Sequence, residues 1–261
     1  MIFAVGPGIK FVNKHSTTTA KTADMKMKIY IPSNRAHRSL MKTPNLSWEK
    51  IDGHYLPSNG IKDWEKLHKP KHWRKGYSAY ETANSWEEAN PELPPKIAAL
   101  FGPAELLVAM PEHKTRLPGR GKSSQTDVLA FVCIKDRVCA VAVEGKKDEH
   151  FDKLVGKWLK GASAGKKKRL EHITDQLGLS YPPPDHIRYQ LLHRTAAAVI
   201  EAKRFNTDCA AMIVQSFSPE HAWFEDFQKL LNLFGIDPVK RDKIYETEVP
   251  GMTLYFGWAS P

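Results

Sequence analysis

Cysteine is scarce in this chain: three in 261 residues, Cys133, Cys139 and Cys209, each inside an apolar run. An odd, scattered set without C-x-x-C spacing excludes a disulfide framework and a structural zinc site, and it fits a reducing compartment. No apolar run approaches the roughly 18 residues of a membrane span. The opening residues are too short and poorly flanked for a secretion signal, so a cytoplasmic protein with no membrane partner is expected. No nucleophile elbow and no paired-histidine spacing are present, which removes serine-hydrolase and zinc chemistry. Gly119-Arg120-Gly121-Lys122 is a basic, glycine-rich stretch, but it lacks the P-loop spacing, so nucleotide hydrolysis finds no support. Acidic charge is also in short supply: 29 acidic against 39 basic side chains leave a formal charge of +10. That balance favours a polyanionic partner, nucleic acid before membrane. Hydrophobic content of 41% with 10% aromatic residues is that of a globular chain.

What is present centres on the stretch from Ser124 to Lys146. Thr126 to Ile134 and Val138 to Val143 are β-branched, apolar runs flanking Lys135-Asp136-Arg137, which reads as a hairpin of buried strands. With Lys135-Asp136 as a two-residue loop, Ile134 faces Arg137 and Asp127 lies opposite Glu144. Directly opposed residues bring their Cβ atoms to about 5 Å. Lys146 shares the face of Glu144, because side chains alternate along a strand. Two carboxylates and an ammonium then converge on one face, and a one-residue slip would disperse them. Paired carboxylates are a hard-oxygen site for Mg²⁺ or Mn²⁺. A charged strand end with a surface salt bridge is the competing reading.

Asp127 followed by Glu144-Gly145-Lys146 at the end of the next strand resembles the D…(D/E)-x-K signature of the restriction-endonuclease-like, or PD-(D/E)XK, nuclease superfamily. Thr126 stands where proline precedes the aspartate in the superfamily's motif. The resemblance implies an αβββαβ core with a mixed sheet flanked by helices. It also implies a metal-dependent nuclease hydrolysing DNA phosphodiester bonds, with Asp127 and Glu144 as metal ligands and Lys146 activating water. A helical glutamate often precedes the hairpin, and Glu105 falls at that place. The helix after the catalytic strand often contributes a polar residue, a role that falls to Gln190 or Arg194. The chain is also similar to an uncharacterised bacterial family, a domain of unknown function, through His72-Trp73-Arg74, Gly76 to Ala79, Val143 to Lys146 and Arg188 to Arg194. The alternative to an enzyme is a non-catalytic nucleic-acid-binding or regulatory protein on the same scaffold.

Along the chain, residues 1–25 read as a flexible leader and 26–261 as a single domain. Within it, residues 26–93 form a tryptophan-rich helical elaboration and 94–261 the core. Tyr77 to Ala89 suits a helix, with Ala79, Ala83 and Trp86 on one stripe. A helix is expected from Pro94 or Pro95 to about Ala109, kinked or split at Gly102-Pro103, with a first strand over Glu112 to Leu117. Lys166-Lys167-Lys168-Arg169 occupies the first turn of a later helix, where cations oppose the helix dipole and a bound phosphate would compensate. Together with Arg120, Lys122, Gln190 and Arg194 these are the candidate nucleic-acid contacts. Asp185 is the expected N-cap of the helix carrying Gln190, and Ser218 of a helix ending at Gly235. Cys209 to Phe217 reads as a strand buried on both faces, and a terminal hairpin turns at Pro250-Gly251. The expected partner is nucleic acid, DNA first, and oligomeric state is left open between monomer and homodimer.

Overall fold

The computed structural model describes residues 58–68, 70, 73–119 and 121–261, together with the backbone of five strand segments before them. Those segments are β1 (Phe3–Val5), β2 (Ile9–Phe11), β3 (Ile29–Tyr30), β4 (Ser47–Ile51) and β5 (His54–Pro57). The rest of the expected leader, and Arg120, lie outside the described residues. Three helices follow, α1 (Ile61–Glu65), α2 (Ser78–Ala89) and α3 (Pro95–Phe101). Next come strands β6 (Ala104–Thr115), β7 (Ser124–Ile134) and β8 (Arg137–Lys146), then helices α4 (Val155–Leu159), α5 (Ala164–Leu177) and α6 (Tyr189–Phe205). The chain ends with β9 (Cys209–Ser216), α7 (Phe224–Asn232), β10 (Ile244–Val249) and β11 (Met252–Ala259).

The protein is a mixed α+β fold around a six-stranded sheet of order β10-β11-β9-β8-β7-β6. Strands β6, β7 and β8 are antiparallel neighbours, whereas β8 and β9 run parallel. Helices α4 to α6 make the crossover that such a parallel pair requires. The two-residue alternation of a strand sorts the core into two layers. Leu129, Phe131, Ala140, Ala142, Met212 and Val214 pack with residues of α5, α6 and α7 on one face. Val128, Ala130, Val132, Val141, Val143 and Ile213 pack with Trp64, Trp86 and Ile97 on the other. No helix among the described residues is long and apolar enough to cross a membrane.

The central hairpin has the expected register, from Ile134↔Arg137 to Val128↔Val143. Its loop residues Lys135 and Asp136 both have positive φ, 47° and 66°, the mirror-image turn whose twist suits a two-residue hairpin. Three expectations are corrected. The helix entering the core stops at Phe101, because Gly102 turns left-handed at φ 70° and Pro103 follows. Residues Ala104 to Thr115 are one long strand on β7, bulged between Leu106 and Val108. Asp185 and Ser218 do not begin the helices expected of them: α6 starts at Tyr189 and α7 at Phe224. Ser218 instead closes a turn by accepting the Ala222 N–H at 3.2 Å.

Candidate active site

Two neighbouring registers place the charged groups. Pro111↔Val128 and His113↔Thr126 bracket Glu112 and Asp127, so Glu112 stands across from Asp127. Beyond Val128↔Val143 the β7–β8 ladder ends, with Asp127 across from Glu144. There the Asp127 carboxylate replaces the ladder, accepting the Gly145 N–H at 2.7 Å. Three carboxylates from three adjacent strands thus stand in a row at one end of the sheet.

Glu144 is the buried member, at 2% exposure. Its Oε2 accepts Arg194 Nε at 2.5 Å, and its Oε1 accepts Gln190 Nε2 at 2.5 Å with Lys146 Nζ at 3.0 Å. Burial opposes its ionisation, yet the Arg194 and Lys146 cations outweigh this and hold its carboxyl below the usual range. Asp127 has the opposite fate. Burial, then the charges of Glu144 and Glu112, push its carboxyl well above the ordinary value, against the smaller pull of Arg194 and Lys146. Burial disfavours the Lys146 ammonium, but Glu144, Asp127 and Glu149 prevail and raise its pKa. Lys146 is therefore a fixed positive charge and hydrogen-bond donor.

Arg194 reaches further, donating to Ser124 Oγ at 3.2 Å, which also lies 2.8 Å from His193 Nδ1. Burial and the charges of Arg194, Arg169 and Lys146 drive the His193 pKa far down, so its ring is neutral. It is a packed member of the network, its ring tilted against Tyr189, which in turn stacks on Trp158 at 4.1 Å.

Glu112 is the site residue the sequence reading overlooked. Its backbone is left-handed at φ 52°, its carboxylate accepts from Gln125 Nε2, and His68 Nε2 lies 3.4 Å from Oε1. Burial, with the Glu144 charge adding to it, raises its pKa to about 7. A folded-state pKa above the ordinary 4.5 means that the native state holds more protons than the unfolded chain between those values. Stability then falls as pH rises through that window. Glu112→Gln is expected to remove this loss, stabilising the metal-free protein at pH 8 relative to pH 5 by on the order of 1–3 kcal/mol. Urea midpoints of both proteins at the two pH values test this, and a pH-independent difference contradicts it.

The other candidates separate into those near the cluster and those away from it. Glu105 is corrected: it sits on β6 opposite Cys133, six residues along β7 from Asp127 and so about 20 Å away at strand rise. Arg169 is also corrected. It is buried, with Nε donating to Pro118 O at 3.0 Å and Nη1 to Lys122 O at 2.5 Å. It ties Pro118 and Lys122 to α5 instead of facing a ligand. Lys122, Lys166, Lys167 and Lys168 remain exposed on that shared surface, with Lys166 Nζ 5.1 Å from the Trp158 ring centre. Gln190 and Arg194, on α6, meet the cluster through Glu144.

The donor set is right in kind for Mg²⁺ or Mn²⁺, since all three acids offer hard oxygens. Asp127 enters no ion pair among the described residues while its charge is disfavoured, and a cation would relieve that. Glu144 would have to exchange a present partner for the ion. Among the described residues no three His, Cys, Asp or Glu side chains already stand together as a metal-holding group.

The family model described as a domain of unknown function (DUF6946) matches residues 57–261. The chain belongs to that family. No curated protein matches the chain, and no solved structure does.

Proposed function

We propose that the protein is a metal-dependent phosphodiesterase acting on nucleic acid, DNA first, at the end of β7 and β8. The observation that carries the reading is Asp127, a half-buried carboxylate between Glu112 and Glu144 that has no paired cation among the described residues. The order of α3, β6, β7, β8, crossover helices and β9, with β8 and β9 parallel, supports the likeness to the PD-(D/E)XK superfamily. Asp127 and Glu144 are the residues to hold Mg²⁺ or Mn²⁺. A bound ion would supply Lewis acidity and a more acidic water. Lys146 Nζ, charged and 3.0 Å from Glu144, orients water and steadies phosphate charge. Glu112, with a pKa of about 7, suits the role of proton acceptor near neutral pH. Exposed Lys122 and Lys166 to Lys168, on one surface with the loop that Arg169 fastens, are the proposed phosphate-backbone contacts.

One observation favours a second reading. Both Glu144 oxygens are already taken, by Arg194, Gln190 and Lys146, which suits a non-catalytic nucleic-acid-binding protein on a nuclease-like frame. Metal titration separates the two. A phosphodiesterase binds Mn²⁺ in a manner lost in Asp127→Asn, whereas a pure binder shows nucleic-acid affinity with no Mn²⁺ uptake at this site.

A further inference from the structure

Gly145, between the site's glutamate and lysine, marks where the tryptophan-rich elaboration touches the chemistry. A Cβ built on Gly145 would lie 2.0 Å from Thr82 Oγ1 and 3.4 Å from Asp127 Oδ2. No side chain fits there, and Gly145 has no positive φ to explain its identity. The requirement is steric: α2 sits directly over this peptide. Its seat is fixed by Trp86 Nε1, which donates to Gln215 Oε1 at 3.1 Å, and by Gln215 Nε2, which donates to Ser85 Oγ at 2.8 Å. Gln215 is the β9 residue paired with Gly145, so α2 is held in register with the end of the motif.

Thr82 is 1% exposed, and its hydroxyl has no hydrogen-bonding partner among the described residues. A buried hydroxyl in that condition calls for a partner that the protein atoms do not supply, commonly an ordered water. Thr82 Oγ1 and Asp127 Oδ2 flank one point, at 2.0 and 3.4 Å from it, and are therefore close enough to share a single water. We propose that Thr82 is a positioning residue of the site, whose hydroxyl holds a water against the Asp127 carboxylate over Gly145. Helix α2 is then part of the active site. The catalytic consequence rests on the phosphodiesterase reading, whereas the water does not.

Two readouts test this on the full chain. In crystals of the wild type and of Thr82→Ser, an ordered water is expected within hydrogen-bonding distance of both the residue-82 hydroxyl and Asp127. It is expected to be absent in Thr82→Val, which keeps the shape and removes the hydroxyl. In Mn²⁺-dependent cleavage, Thr82→Val is expected to lower kcat about tenfold at unchanged KM, the lower end of the range for losing a group that supports a metal site's ligands from behind, and Thr82→Ser to restore it. A wild-type structure with the hydroxyl bonded to a backbone carbonyl and no water at Asp127 overturns the inference, whatever the activity. A water present in an inactive wild type upholds the placement of Thr82 and counts against the proposed function instead. Gly145→Ala gives a second arm. It should abolish the water and the activity together, and Thr82→Ala in the same chain should recover the fold without recovering the water.

Discussion

Arg194→Met is expected to cost about 3–5 kcal/mol of folding stability, the range for removing one partner of a buried ion pair. Arg194 Nε lies 2.5 Å from Glu144 Oε2, and Glu144 is 2% exposed. Without the guanidinium, Glu144 Oε2 loses its charged donor and only Lys146 and Gln190, both on Oε1, face the buried carboxylate, while Ser124 Oγ loses the donor at 3.2 Å. Much of the cost is the stranded charge, not the net worth of the pair. Glu144→Gln combined with Arg194→Met should therefore lose clearly less than the sum of the single losses. Chemical denaturation of the four proteins at pH 7 measures the coupling. A loss below about 1 kcal/mol, as for an exposed pair, would show that Glu144 is not sequestered as described.

Asp127→Asn should move stability and activity in opposite directions. Its carboxyl is pushed well above the usual range by burial and by Glu144 and Glu112, so at pH 8 an ionised Asp127 is destabilising. Asparagine keeps an oxygen for the Gly145 N–H, which Asp127 accepts at 2.7 Å, and removes the repulsion. A gain of about 1 kcal/mol at pH 8 is expected, shrinking toward pH 4 as the wild-type carboxyl takes up its proton. Cleavage should fall at least about 10²-fold, the scale for removing one preorganised polar group from a reacting centre. Gain of stability with loss of function is the signature of a site held under electrostatic strain. A destabilised Asp127→Asn would contradict that account of the row.

The hairpin was legible in the sequence because its register follows from one loop length. Lys135 and Asp136 leave only one pairing that buries both apolar runs, and that pairing puts Asp127 beside Glu144. The buried strand Cys209–Ser216 and helix Ser78–Ala89 declared themselves by apolar continuity and by helical spacing. Residues Ala104 to Met110 misled, since Ala, Glu, Leu and Met favour helix in isolation. Pairing along β7 overrode that preference, and Glu105 went with the strand. Glu112 was missed for another cause: the strand expected from Glu112 joins β7 through a long connection and not a two-residue loop, so its register, and with it the place of Glu112 opposite Asp127, was unset. The Glu144 network depends on how α6 lies across the sheet. Nothing local to Gln190 or Arg194 encodes that distance, although their spacing of four did place them on one helix face. Arg169 read as part of a basic run, and only the packing of the loop at Pro118 to Lys122 turns it inward.

The most direct test of the central claim is Mn²⁺ titration by calorimetry alongside Mn²⁺- and Mg²⁺-dependent cleavage of plasmid, linear and single-stranded DNA. The proteins compared are the wild type, Asp127→Asn and Lys146→Ala. The account predicts metal uptake and cleavage by the wild type, loss of both in Asp127→Asn, and retained uptake without cleavage in Lys146→Ala. Metal-independent cleavage, or metal uptake unchanged by Asp127→Asn, would contradict it.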